Sequence, residues 1–161
     1  MDIFEFAMEK EKDSRDFYHQ LAEETADKGL AKIFNMLADE EEKHYRIVEQ
    51  MKNNAPQEVG DTDFLSDAKN IFKQMKEGAG KFSFSASQIE IYKKAQAIEK
   101  QSREFYLQKV DEVKDARQKK IFFQLASEEN KHYFLLENIL EFVSRSEQWL
   151  ENAEWYHLDE Y

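Results

Sequence analysis

IFNMLADEEEKHY (residues 33–45) and IFFQLASEENKHY (residues 121–133) decide the fold. Nine of the thirteen positions are identical, and the second stretch lies 88 residues after the first. Extended outward at that offset, residues 3–49 pair with 91–137 without a gap, and 22 of the 47 positions are identical. The pairs include Ala7/Ala95, Glu11/Glu99, Ser14/Ser102, Phe17/Phe105, Tyr18/Tyr106, Glu41/Glu129 and His44/His132. A repeat of this length means that one supersecondary unit occurs twice.

Each unit has the 3.6-residue periodicity of a helical hairpin. Helix 1 is expected from about Asp2 to Asp27, with Gly29 as its C′ residue, and helix 2 from about Leu30 to Lys52. Helix 3 is expected to open on the capping pattern Ser87-Gln88-Ile89-Glu90 and to reach about Val113. Helix 4 covers about Ala116 to Arg145. The hairpins are thus 2–52 and 87–145, joined by a crossover at 53–86 too long for a tight turn. Within the crossover Thr62 to Lys76 reads as a short helix closed by Gly78. Residues 1–145 form an all-α four-helix bundle, followed by a tail, 146–161, that carries Trp149, Trp155, Tyr156 and Tyr161.

The composition narrows the function. A net charge of −11 disfavours a nucleic-acid backbone or an anionic membrane as partner. With no cysteine there is no disulfide, no thiolate-bound iron and no thiol nucleophile. No apolar run approaches the roughly 20 residues of a membrane span, and MDIFEFAMEKEKD lacks the pattern of a signal peptide. The chain reads as cytoplasmic. It has no glycine-rich phosphate loop and no nucleophile–base motif.

Written in steps of three and four, the apolar stripes carry charge at midlength. Helix 1 gives Phe4, Ala7, Glu11, Ser14, Tyr18 and Leu21; helix 2 gives Leu30, Phe34, Leu37, Glu41, His44, Val48 and Met51. The second unit repeats the arrangement: Glu99 falls between Ala95 and Tyr106, and Glu129 and His132 between Leu125 and Leu136. Four carboxylates in a core would repel one another and lose hydration, at several kcal/mol each. No Lys or Arg shares these stripes, so two divalent cations are the natural compensation. His44 and His132, at i+3 from Glu41 and Glu129, offer neutral nitrogen on the same faces. A metal-free Glu–His network is the alternative. His19 falls off the stripe, pairs with Leu107 in the repeat and is not read as a ligand; His157 lies in the tail.

One glutamate from each of two helices with Glu-x-x-His from each of the other two resembles the ligand set of ferritin-like dimetal carboxylate proteins. Glu11…Phe17-Tyr18 with Glu41-Glu42-Lys43-His44, repeated as Glu99…Phe105-Tyr106 with Glu129-Asn130-Lys131-His132, resembles the rubrerythrin branch over about residues 3–143. The resemblance implies a ferritin-like four-helix bundle with two iron ions, manganese or zinc being possible substitutes. It implies Glu11, Glu41, His44, Glu99, Glu129 and His132 as ligands, with Glu41 and Glu129 as bridges. The chain departs from peroxide-reducing relatives in three respects. It has no four-cysteine iron domain, Ser102 stands where they carry an extra glutamate, and His132 where they carry another.

The implied activity is that of a non-haem diiron oxidoreductase reducing peroxide or O₂, re-reduced by an external electron-donor protein. Iron binding with ferroxidase or storage activity is one alternative; a metal-stabilised interaction module is another. A homodimer is compatible with each. Tyr18 and Tyr106, two turns beyond Glu11 and Glu99, serve either as hydrogen-bonding or redox-active groups beside the metals or as core aromatics. Glu40 and Glu128 either orient a histidine across the bundle or are solvated.

Overall fold

The computed structural model describes residues 2–55, 59–60, 64–77 and 84–144. Among them there are five α-helices and no strand: α1 (Ile3–Glu24), α2 (Lys28–Lys52), α3 (Phe64–Glu77), α4 (Ala86–Lys109) and α5 (Ala116–Ser144). A 3₁₀ turn, Val110–Glu112, follows α4. α1 packs along α2, and α4 along α5, giving the two hairpins of an all-α ferritin-like bundle. The aromatic residues after 145 and Gly78 lie outside the described residues.

Local chemistry sets the helix ends. Asp2 caps α1 by accepting from the Glu5 amide (2.8 Å), and Asp27 caps α2 by accepting from the Leu30 amide (2.9 Å). α2 closes through Asn54, whose φ of 56° is left-handed, so that the Ala55 amide donates back to the Gln50 carbonyl (2.8 Å). Two boundaries differ from the expectations. α4 begins at Ala86, because Ser85 rather than Ser87 forms the capping box: its hydroxyl accepts from the Gln88 amide, and the Gln88 side chain accepts from the Ser85 amide. Gly29 is not a C′ residue. α1 stops at Glu24 with extended Thr25, and Gly29 sits in the first turn of α2, where a Cβ would stand 2.6 Å from Met75 Sδ. Its missing side chain makes room for α3.

α3 is the element that the repeat does not duplicate. Phe64, Ala68, Ile71, Phe72 and Met75 form its buried stripe. The core falls into two apolar layers. One contains Tyr18, Phe34, Leu37, Tyr92, Leu136 and the α3 stripe; the other contains Val48, Met51, Tyr106, Phe122 and Leu125. Each fully buried Leu or Phe contributes about 1.5–3 kcal/mol. Midway along the four long helices, between the residues of these layers, the stripes are charged.

Candidate metal centre

Glu11, Glu41, His44, Glu99, Glu129 and His132 are all buried. They form two overlapping sets. One donor atom each from Glu11, Glu41, His44 and Glu129 lies within 4.8 Å of the others, as does one each from Glu41, Glu99, Glu129 and His132. Glu41 and Glu129 belong to both. Each hairpin therefore supplies three members of its own set and takes the fourth from the other.

The contacts follow the repeat. His44 Nδ1 lies 2.8 Å from Glu129 Oε1, and His132 Nδ1 lies 3.0 Å from Glu41 Oε1. Tyr18 donates its hydroxyl to Glu99 Oε1 and Tyr106 donates to Glu11 Oε1, both at 2.6 Å. The imidazoles stack with centroids 5.8 Å apart and planes 8° apart. Outside them Arg15 donates to Glu42 and Arg103 to Asn130, again both at 2.6 Å. The two tyrosines thus tie each hairpin to the glutamate of the other.

Electrostatics separate the four carboxyls into two kinds. For Glu11, burial works upward, but the charge of His44 and hydrogen bonds from His44, Glu41 and Tyr106 outweigh it and hold the group at about 2. Glu99 is lowered in the same way against its burial, by the charge of His132 and bonds from Glu129, His132 and Tyr18. Glu41 and Glu129 go well up, through burial first and then the negative charge of their neighbours. His132 is raised, its burial overcome by the charge of Glu99. Burial, reinforced by the glutamates, also raises both tyrosines well above 10, so the phenols keep their protons and donate.

The donor set fits a pair of cations. In each of the four glutamates Oε1 is engaged by a tyrosine or histidine, whereas Oε2 is buried without a hydrogen bond, Glu11 Oε2 lying 3.7 Å from His44 Nδ1 and Glu129 Oε2 4.0 Å from His132 Nδ1. Glu11 is also lowered by a bond with Glu41, and Glu99 by a bond with Glu129. Protons thus balance charge where metal ions would balance it. Mixed carboxylate and imidazole donors suit iron or manganese, and also zinc.

One environment was not legible in the stripes, and of the two readings of Glu40 and Glu128 the structure places both beside a histidine. Phe64 of α3 meets His132 edge-on, with centroids 5.3 Å apart. One carboxylate oxygen each of Glu40 and Glu128 lies within 4.8 Å of a His132 ring nitrogen and of each other. Glu40 is buried and Glu128 partly so, and they also take ion pairs from Lys43 (2.8 Å) and Lys131 (3.2 Å). His19 is exposed and faces Asn35 at 3.4 Å, away from the cluster.

A bundle of two hairpins that presents Glu and Glu-x-x-His from each half has the fold and donor set of a dimetal carboxylate site. The sequence pattern of the rubrerythrin family matches residues 2–140, and the chain belongs to that family. No curated protein and no solved structure matches it significantly. No helix among the described residues is long and apolar enough to cross a membrane.

Proposed function

We propose that the chain is a non-haem diiron oxidoreductase that reduces peroxide or O₂ and is re-reduced by a separate donor protein. The observation that carries this reading is the pair of overlapping buried donor sets that share Glu41 and Glu129, with Oε2 of all four glutamates lacking a hydrogen bond. Glu11 and His44 would hold one ion, Glu99 and His132 the other, and Glu41 and Glu129 would serve both. An iron pair held there would supply the two-electron chemistry that peroxide or O₂ reduction needs.

The remaining work falls to the chain. Tyr18 and Tyr106 fix the Oε1 atoms of Glu99 and Glu11, which leaves the Oε2 atoms to face a metal. For His132 to offer the Nδ1 lone pair, its proton must sit on Nε2, which is buried without a hydrogen bond, and Glu40 and Glu128 bring negative charge close to the ring. The apolar layers on either side keep bulk water away, which strengthens every charge interaction within.

The test is anaerobic loading with Fe(II), followed by mixing with H₂O₂ or O₂ and a recycling reductant. The expected result is about two irons per chain and many oxidations per site. Oxidation that stops after one event per site, with the iron retained as ferric product, would favour iron handling instead.

A further inference from the structure

The two hairpins diverge at their tips. In the first hairpin His19 and Asn35 face each other across α1 and α2 at 3.4 Å. Their repeat partners are Leu107 and Phe123, at the matching positions of α4 and α5. Both are exposed, by 45% and 54%. A polar surface pair has thus become an apolar one, with no burial to account for it among the described residues.

Charge diverges at the same place. Residues 109–120 hold Lys109, Lys114, Arg117, Lys119 and Lys120 against three acids, a balance of 5 − 3 = +2. The matching residues 21–32 hold two lysines against three acids, 2 − 3 = −1. The whole chain is −11, so the other 149 residues sum to −11 − 2 = −13. Lys119 and Lys120 lie one turn before Phe123 on α5, while the acids about one turn from Leu107 are Glu104 on α4 and Asp111 in the 3₁₀ turn that follows it.

What lies beneath the pair gives it a use. Tyr106 and Phe122 are the inward neighbours of Leu107 and Phe123, with rings 5.2 Å apart, and the Tyr106 hydroxyl reaches Glu11 at 2.6 Å. The immediate chain neighbours of the exposed pair thus pack together, and one of them reaches a proposed metal ligand through a single hydrogen bond.

We propose that the outer face of the second hairpin tip, centred on Leu107 and Phe123 and flanked by Lys119 and Lys120, docks an acidic one-electron carrier protein. This rests on the redox reading above. Lys119 and Lys120 on the Phe123 side, in a hairpin tip of net +2 within an acidic chain, select a negatively charged partner, and the apolar centre gives the short-range contact. Each docking oxidises the carrier by one electron and delivers that electron to the metal pair. Two dockings supply the two electrons that, with two protons, turn one peroxide into two waters.

The test uses flavodoxin, an acidic flavin carrier, with the full-length iron-loaded chain. The variants are Leu107→His with Phe123→Asn, which installs the first hairpin's own pair, and Lys119→Glu with Lys120→Glu. Binding of oxidised flavodoxin is followed by titration, and reduction by flavodoxin hydroquinone is compared with reduction by dithionite, which needs no docking surface. Binding and flavodoxin-driven reduction should each fall about tenfold or more in both variants, and in wild type as salt rises, with dithionite reduction unchanged. Wild-type flavodoxin binding in the variants overturns the proposal, as does equal slowing with both reductants. A wild-type homodimer that dissociates in Leu107→His/Phe123→Asn also overturns it, by giving the face to a second copy. If dithionite fails to reduce the oxidised wild-type centre, the redox reading itself fails and the docking role with it.

Discussion

Replacing Tyr106 by Phe removes one hydroxyl and keeps the ring. Tyr106 and Tyr18 are 2% and 0% exposed, and each donates at 2.6 Å to a glutamate held in its charged form. A hydrogen bond to a charged group contributes about 1.5–3 kcal/mol, and its loss strands a buried acceptor. At about 2–4 °C per kcal/mol for a chain of this size, metal-free Tyr106→Phe should melt about 3–12 °C below wild type at pH 7. Tyr18→Phe should behave alike, because it makes the symmetric bond. The double variant should lose more than either single but less than their sum, since all the affected groups share one cluster. With metal bound the loss should shrink, because a cation then holds the same carboxylates, and about two ions per chain should remain. Calorimetry on both forms reads this directly. Metal-free single variants within 1 °C of wild type, or a larger loss in the loaded protein, would refute the reasoning. Oxidation of the diferrous double variant by peroxide at the wild-type rate would remove any redox role from the tyrosines.

The overlap of the donor sets predicts unequal ligand losses: Glu99→Ala should retain about one ion per chain and Glu41→Ala close to none, as read by elemental analysis. Metal-free stability should fall as pH rises from the acid range. The raised Glu41 and Glu129 contribute fully only below 4.5 and His132 below 6.5, each losing its share as pH climbs through its folded value. The lowered Glu11 and Glu99 contribute above 4.5, and that share is lost only as pH drops through their folded values, about 2 for Glu11. Metal-free protein should therefore melt higher at pH 5 than at pH 7.5 and loaded protein the reverse, and metal binding should release protons to a weak buffer; a metal-free maximum at pH 7.5 would contradict the assignment. Ser85→Ala should cost about 1 kcal/mol, or about 2–4 °C, whereas Ser87→Ala should cost little, as paired thermal melts would show.

The hairpins and the charged midsection were legible because both rest on periodicity and on an ungapped repeat. All the stripe positions written out for α2 and α4 are buried, as are those of α5, including their glutamates and histidines. What pairs across the bundle was not legible. That Tyr18 serves Glu99 rather than Glu11, or that Phe64 covers His132, depends on helix rotation and packing, which spacing along one helix does not encode. Gly29 misled for a similar reason: glycine before an apolar run reads as a helix stop, but here it clears space for Met75 of an element 35 residues further on. The cap at Ser85 was missed because Ser85-Ala86-Ser87-Gln88 offers two serines in one turn, and only the geometry chooses between them.

The exchange of donors between the hairpins bears on ancestry. Each half brings Glu, Glu and His to its own set and lends one glutamate to the other, and the tyrosine contacts cross in the same reciprocal way. A single ancestral hairpin that met its own copy about a twofold axis would complete both sets with no residue missing. Gene duplication and fusion would then have changed nothing at the axis while freeing the periphery to drift. That is the pattern found: Glu, His and Tyr are kept in both copies around the centre, while Glu42 has parted from Asn130, His19 from Leu107 and Asn35 from Phe123. Residues close to such an axis bear on both half-sites at once, and selection on them is correspondingly double.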